Sequence, residues 1–256
     1  MLEKFRKSLE EGYKKYLEVH PRSNEKIKPM HKCIAAILLE KLNNVNEDFE
    51  IKSLGIGDDK EYNFSGKYYS KNLDITILYK DNPISALGFK FITSNYKQNS
   101  NNYFEGMLGE TANLKRNELL YGQILIFKHQ MPYYSSDKKT FTKIEHINEE
   151  NIKKYLKLYN DNVLNLYHKP DLLFIAFIET GDEELFLDVI EKNIEIDKKE
   201  FHKDLVKKVN VEFVNPDDLN DDDFSTEMKE FLKKIGNFEK FINAFVNLTK
   251  GKTYGI

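Results

Sequence analysis

The chain has 256 residues, with a single cysteine, Cys33, and no tryptophan. One cysteine excludes an intrachain disulfide and a cysteine-based zinc site. No run of about 18 apolar residues occurs, which excludes a transmembrane helix. The first residues also lack the apolar core of a signal peptide. We therefore expect a cytoplasmic protein without membrane contact.

Several common catalytic motifs are also missing. There is no glycine-rich phosphate loop and no Gly-x-Ser-x-Gly sequence. The histidines, at positions 20, 31, 129, 146, 168 and 202, form no HxH or HxxxH pair. Cys33 and His31 are two residues apart on a predicted helix and point away from each other, which disfavours a cysteine–histidine nucleophile pair.

The composition is that of a folded protein with a mixed-charge surface. Hydrophobic residues make up 40% and aromatic residues 13% of the chain, which is enough for a core. The net charge is −3, but residues 1–170 hold 27 Lys and Arg against 22 Asp and Glu, while residues 171–256 hold 12 against 20. A phosphate ligand needs a local positive surface rather than a basic total, so the first part is the better candidate for binding one.

Hydrophobic periodicity predicts an α/β fold in which helices flank a small mixed sheet. We expect one domain over 1–256, with a core at about 30–130 and a C-terminal elaboration at about 182–256. The predicted helices span 2–19, 24–42, 102–119, 148–160, 182–192 and 225–248. The predicted strands span 50–54, 73–80, 84–92, 123–128 and 171–178, and polar loops fill 55–72 and 93–102. The run 123–128 is almost entirely apolar, which predicts a central strand.

The predicted hairpin at 73–92 contains two charged residues that such strands rarely carry. Asp74 lies at the start of the first strand, and Lys90 interrupts the apolar run 86–92 in the second. A charge beside buried residues costs free energy unless it is paired or binds a metal. Strand alternation also allows Asp74 to face solvent, and Lys90 to be an edge residue with its ammonium group in water. Gly88 shares a face with Lys90 and leaves room there for a ligand.

The following helix offers two further carboxylates, Glu105 and Glu110. They are five residues apart, so they point about 140° apart, and only one of them can face Lys90. Glu105 and Glu110 are therefore competing candidates for an acid near Lys90. Either residue can equally be a solvated acid on a helix surface.

Asp74, Lys90 and a nearby Glu resemble the PD-(D/E)xK nuclease superfamily and, within it, the type II restriction endonucleases. Two positions depart from the pattern: Gly88 stands where an acid is expected, and Leu73 stands where proline is expected. Some members take the missing acid from the following helix, at a spacing from the lysine close to that of Glu105, so the resemblance favours Glu105 over Glu110. The resemblance implies a restriction-endonuclease-like mixed sheet and a Mg²⁺ site formed by Asp74 with Glu105 or Glu110. Lys90 would act on the attacking water.

The resemblance also implies substrate and partners. The expected activity is site-specific hydrolysis of double-stranded DNA by a homodimer, leaving 5′-phosphates. DNA contacts are expected from the polar segment after Lys90 and from two cations at the end of the next helix: Ser94, Asn95, Tyr96, Lys97, Gln98, Asn99, Asn101, Lys115 and Arg116. Amide side chains can bond adenine edges, and Lys and Ser can bond phosphates. The tyrosines and lysines at 62–71 form a second candidate segment.

Two other acids are weaker candidates for the site. Pro170-Asp171 is a literal Pro-Asp pair before a predicted strand, but no lysine follows in a suitable partner strand, so Asp171 is interpreted as a strand-start residue. Glu40 lies on the helix before the hairpin, where many such nucleases carry an acid, and an ordinary helix-end acid is an equal interpretation. Two alternative functions stay open: a DNA repair or junction nuclease, and a non-catalytic nucleic-acid-binding protein of the same fold.

Overall fold

A computed structural model describes residues 1–19, 23–43, 48–134, 141–162, 166–192 and 198–255. Its strands are β1 (Phe49–Ser53), β2 (Tyr62–Ser65), β3 (Ser70–Leu73), β4 (Ile75–Tyr79), β5 (Asn82–Ile92), β6 (Leu120–Lys128), β7 (Gln130–Tyr134), β8 (Phe141–His146), β9 (Leu172–Glu179) and β10 (Glu212–Phe213). Its α-helices are α1 (Leu2–Glu18), α2 (Lys28–Asn43), α3 (Tyr96–Lys115), α4 (Glu149–Asn160), α5 (Glu183–Glu191), α6 (Lys198–Lys208), α7 (Thr226–Ile235) and α8 (Phe238–Gly251).

A mixed six-stranded sheet in the order β1-β4-β5-β6-β9-β10 forms the centre of the fold. Strands β5, β6 and β9 run parallel, whereas β1, β4 and β10 are antiparallel to their neighbours. Every residue of β6 is buried. The prediction of a central strand there is confirmed, because a strand covered on both faces reads as a continuous apolar run.

Helices cover both faces of this sheet. On one face, α1, α2 and α8 contribute Phe5, Ile34 and Phe238 to a core that includes Ile124 of β6. The rings of Phe5 and Phe238 stack with their centroids 4.1 Å apart, so the two ends of the chain share this core. On the other face, α3, α4 and α7 pack against Leu125 and neighbouring residues. The predicted α/β architecture is confirmed.

Three predictions about elements were wrong. The segment 55–72 contains the hairpin β2–β3, and a second unpredicted hairpin, β7–β8, follows β6. Helix α3 begins at Tyr96 rather than 102, because the Tyr96 ring is fully buried and anchors the first turn. The closing helix is two helices: α7 ends at Ile235 with Gly236 as its C-cap, and the Asn237 side chain caps α8 by accepting a hydrogen bond from the backbone of Lys240.

Within the described ranges, no helix is long and apolar enough to cross a membrane.

Candidate functional site

Asp74 lies where the chain passes from the small hairpin β2–β3 into the main sheet. Its Oδ2 atom accepts a hydrogen bond of 2.7 Å from the backbone N–H of Phe89 on β5. Its backbone carbonyl accepts one of 2.7 Å from Ser53 Oγ. The half-buried carboxylate therefore replaces the backbone acceptor that a continued β4 would have offered to β5. This contact fixes Asp74 next to the residue that precedes Lys90.

Lys90 is half-buried on β5, and no hydrogen bond or ion pair holds its ammonium group within the described part of the chain. The charges of Lys90 and Asp74 both shift the pKa of two neighbouring groups. One is His31 of α2, and the other is Glu61, the residue before β2. The structure thus places Asp74 against Phe89, the residue before Lys90, and places His31 and Glu61 within electrostatic reach of both predicted residues. Glu61 and His31 were not predicted as members of this site.

Gly88 does not leave room for a ligand, contrary to the expectation from sequence. A Cβ atom at this position would lie 2.0 Å from Tyr121 Oη and 2.9 Å from Gln123 Oε1. Tyr121 and Gln123 belong to β6, and both are buried. The phenol therefore fills the space where the superfamily pattern would put an acidic side chain.

The carboxylate of Glu110 reaches the same place from α3. Its Oε1 accepts a hydrogen bond of 2.9 Å from Tyr121 Oη, and its Oε2 accepts one of 2.7 Å from Lys71 Nζ of β3. Glu110 is only 8% exposed, so these two contacts compensate for burying its charge. An acid from the helix thus lies beside position 88, where the strand carries glycine.

Glu105, the favoured candidate, points elsewhere. Its side chain is exposed, and its carboxylate interacts electrostatically with Lys154 of α4. Although α3 starts earlier than predicted, the two acids still point about 140° apart around the helix axis. Because Glu110 faces the protein interior, Glu105 faces away from it. Of the two acids, Glu110 is therefore the one that lies beside Lys71 and Tyr121, and both of these residues are within electrostatic reach of Asp74.

The electrostatics of the site reflect three carboxylates and two lysines in a partly buried space. Burial raises the pKa of Glu61, and the nearby Asp74 charge raises it further. Burial lowers the pKa of Lys71, but the Glu110 carboxylate and the more distant Asp74 outweigh this, so the pKa of Lys71 is raised overall. Burial lowers the pKa of His31, which keeps its imidazole neutral near neutral pH.

His31 is also unusual in its hydrogen bonding. It is fully buried, its ring lies edge-on to Phe89, and neither ring nitrogen has a partner among the described residues. A polar residue in a predicted apolar helix face was the only sequence signal for it. The sequence marks Lys71 only as part of the second candidate DNA-binding segment, and it gives no signal that distinguishes Tyr121.

The expected DNA-binding segment is the first part of α3 rather than a loop. Tyr96 is fully buried, and its hydroxyl bonds the backbone carbonyl of Asn151 at 3.2 Å, so the assignment of Tyr96 to DNA contact is wrong. The remaining residues have mixed environments. Lys97, Gln98, Asn99 and Asn101 are exposed, Ser94 and Asn95 are half-buried, Ser94 Oγ lies 3.4 Å from Tyr16 Oη, and Asn101 Oδ1 accepts from Lys154 at 3.1 Å.

The two cations at the C-terminal end of α3 have protein partners. Lys115 forms an ion pair of 2.6 Å with Asp171, and Arg116 is exposed with its guanidinium 4.6 Å from the centre of the Tyr167 ring. Asp171 Oδ2 also accepts from the backbone N–H of Tyr121 at 2.8 Å. The interpretation of Asp171 as a strand-start residue is confirmed.

Glu40 is exposed and lies nine residues after His31 on α2, which is about 14 Å along the helix axis. The structure does not bring it to the site.

The replacement Gly88→Ala is expected to destabilise the fold by about 1–3 kcal/mol, because overpacking a filled core displaces rigid neighbours. The obstacle is the hydroxyl of a buried tyrosine, at 2.0 Å. Urea denaturation would measure the loss. Gly109→Ala on α3 is the matched control: its Cβ would have no neighbour within 4 Å. That variant should be stabilised by about 0.5–1 kcal/mol through helix propensity. Equal effects of the two changes would contradict this packing.

The described residues offer a hydrated Mg²⁺ at most a few carboxylate oxygens, with Asp74 as the first. Mg²⁺ takes hard oxygen ligands and commonly uses one or two carboxylates while keeping several waters. Asp74 has one carboxylate oxygen bonded to the backbone, and the other bears no hydrogen bond within the described part of the chain. No group of three or more His, Cys, Asp or Glu side chains that could hold a metal occurs in those ranges either. An all-protein cage of the kind seen for zinc or calcium therefore does not form from the described residues.

Comparisons of the chain with protein-family models, with curated proteins and with solved structures find no match in any of the three.

Proposed function

We propose that the protein is a Mg²⁺-dependent endonuclease that hydrolyses double-stranded DNA to 5′-phosphates, in the manner of a type II restriction enzyme. The observation that carries the proposal is the Asp74–Phe89 hydrogen bond of 2.7 Å, which joins the acid to the backbone next to Lys90. Support for a restriction-endonuclease-like core comes from the antiparallel pair β4–β5, followed by α3 and by β6 parallel to β5.

Asp74 is the proposed principal ligand, and Glu110 or Glu61 the second carboxylate. Glu110 of α3 accepts a hydrogen bond from Tyr121, whose hydroxyl lies beside Gly88. The Asp74 charge raises the pKa of Glu61, so these two carboxylates lie near each other. When bound there, Mg²⁺ supplies Lewis acidity toward the phosphate and a more acidic water.

Lys90 is proposed to act on the reacting phosphate and the water that attacks it. Its ammonium group has no ion-pair partner in the described ranges, so it can donate hydrogen bonds to a ligand without breaking one. A cation at this place orients the water and stabilises the negative charge that develops on the phosphate oxygens. The backbone bond from Phe89 to Asp74 keeps the acid and the lysine in a fixed relation.

The partners proposed are a DNA duplex and a second copy of the chain. The exposed Lys97, Gln98 and Asn99 on α3 supply a phosphate contact and two amide groups suited to base edges. A homodimer would match a palindromic site through its twofold axis.

A second candidate is a nucleic-acid-binding protein of this fold without catalysis. The observation that favours it is the ion pair of 2.7 Å between Lys71 and Glu110, which already neutralises the helix acid. In a nuclease, Glu110 would have to leave this ammonium group to hold Mg²⁺, or Asp74 would hold it together with Glu61. Metal binding therefore separates the two candidates.

The test is digestion of unmethylated phage DNA by purified protein with Mg²⁺, beside an EDTA control. The wild type should give discrete fragments that EDTA abolishes. Glu110→Gln should lower the rate by about 10–100-fold, the usual effect of losing a supporting group at a metal site. Glu105→Gln is the matched control on the same helix and should cleave like the wild type, since Glu105 faces away. Loss of cleavage in Glu105→Gln alone would refute this assignment.

A further inference from the structure

The tip of the β2–β3 hairpin exposes two adjacent aromatic rings. Tyr68 is 70% exposed and Tyr69 is 51% exposed, and Lys67 beside them is also exposed. Single exposed aromatic side chains are common on protein surfaces, but here two in succession at the tip of a hairpin expose most of their aromatic surface to water.

This tip is held in place by its backbone rather than by its tyrosine side chains. The fully buried Asn113 of α3 accepts hydrogen bonds from the N–H groups of Tyr68 and Tyr69 at 2.8 and 3.3 Å, and donates one of 3.0 Å to the Tyr69 carbonyl. The Asn113 carbonyl accepts from the N–H of Lys67 at 2.9 Å. A Cβ on Gly66 would lie 2.2 Å from the Asn113 amide, so the turn closes directly onto this side chain. The rings are thus presented by a preformed turn.

The tip borders the candidate site. Lys71 follows Tyr69 by two residues on the same hairpin, and its ammonium group lies 2.7 Å from Glu110. Tyr69 is near enough to influence the ionisation of both Lys71 and Tyr121. A polymer that enters the site past Glu110 would therefore meet these rings next.

The charge of the hairpin points to the kind of polymer. Residues 62–73 contain Lys67 and Lys71 and no Asp or Glu. Aromatic faces combined with lysines on one short element bind nucleic acids, because bases stack on the rings while the ammonium groups contact phosphates.

We propose that Tyr68 and Tyr69 form a stacking platform for unpaired bases, so that the ligand of this site is nucleic acid with bases exposed next to the scissile phosphate. Lys67 contacts the adjacent backbone. The proposal rests on the proposed function in that it describes the substrate of the same site. Stacking on the platform favours strands that are single, or that open locally on binding.

The test compares three proteins on two probes without Mg²⁺, so that nothing is cleaved. The probes are a fluorescent 20-nucleotide thymidine strand and a matched strand of abasic residues, which keeps the phosphates but has no bases. The wild type should bind the thymidine strand about tenfold more tightly than the abasic strand, the usual size of base–aromatic stacking. Y68A/Y69A should lose this preference, and Y68F/Y69F should keep it because the rings remain. Thermal melting would verify that all three proteins are folded.

The outcomes separate the platform from the nuclease. If the wild type prefers the base-containing strand but never cleaves DNA with Mg²⁺, the platform stands and the proposed activity fails. If DNA is cleaved in a Mg²⁺-dependent way but all three proteins bind the two probes equally, the activity stands and the platform is refuted. A preference that persists in Y68A/Y69A would also refute it.

Discussion

Asp74→Asn is expected to lower the rate of Mg²⁺-dependent DNA cleavage by about 10³-fold, the size of effect found when a group that stabilises transition-state charge is removed. The asparagine oxygen can still accept the 2.7 Å hydrogen bond from the backbone N–H of Phe89. The fold around β4 and β5 should therefore survive, while the negative charge that would hold Mg²⁺ is lost. Initial rates on phage DNA, with stability checked by urea denaturation, would measure both effects.

Asp171→Asn is the matched control, because Asp171 has the same local role on a different strand. It precedes β9 and accepts a hydrogen bond of 2.8 Å from the backbone N–H of Tyr121 on β6. The amide can keep this bond and loses only the partly exposed ion pair with Lys115, which is worth about 0–1 kcal/mol. Cleavage by this variant should stay close to that of the wild type.

Two results would count against the assignment. Similar losses of cleavage in both variants would mean that strand-start aspartates matter for folding and that Asp74 has no chemical role. Absence of cleavage in the wild type, with calorimetry showing no Mg²⁺ binding that depends on Asp74, would leave the non-catalytic candidate. The variant Lys71→Gln then becomes informative, since freeing Glu110 from its ion pair should strengthen any Mg²⁺ binding at this place.

The sequence could reveal those site residues that are charged but lie in or beside an apolar strand. Lys90 interrupts an apolar strand, and Asp74 begins its partner, so both were recognisable, and the structure bonds Asp74 to the backbone of Phe89 beside Lys90. The choice between Glu105 and Glu110 depended on the rotation of α3 about its axis. That rotation is set by which side chains the sheet buries, Tyr96 and Met107 among them, and no pattern near the two acids encodes it.

The hairpin β2–β3 was not predicted because it, too, depends on tertiary contacts more than on a local sequence pattern. Only Phe64 and Leu73 are buried among the residues of its two strands, so apolar alternation is too weak to distinguish it from a loop. Its position depends on contacts with a distant helix, chiefly the backbone bonds to Asn113. Lys71 and Glu61 were missed as members of the site because the hairpin itself was missed. The sheet, by contrast, was predictable, since β5, β6 and β9 bury long apolar runs.

Lys128→Met is expected to destabilise the fold by about 3–5 kcal/mol, the cost of leaving a buried charge without its partner. Lys128 ends β6 and is fully buried. Its ammonium group bonds Asp182, which is also fully buried, and lies 3.3 Å from Tyr13 Oη and 3.4 Å from Glu183. Urea denaturation is the measurement. Lys203→Met is the control: its ion pair with Glu200 is exposed and worth about 0–1 kcal/mol.

The same experiment separates two kinds of lysine that look alike in sequence. Lys128 and Lys90 each lie in an apolar strand, but Lys128 has acidic partners in a sealed interior, whereas Lys90 is half-buried without an ion pair in the described ranges. Adding Asp182→Asn to Lys128→Met should restore part of the lost stability, because the unpaired charge is removed as well. Lys90→Met should cost little stability and most of the cleavage. If instead Lys128→Met were no worse than Lys203→Met, burial and pairing would not be what distinguishes the structural lysine from the proposed catalytic one.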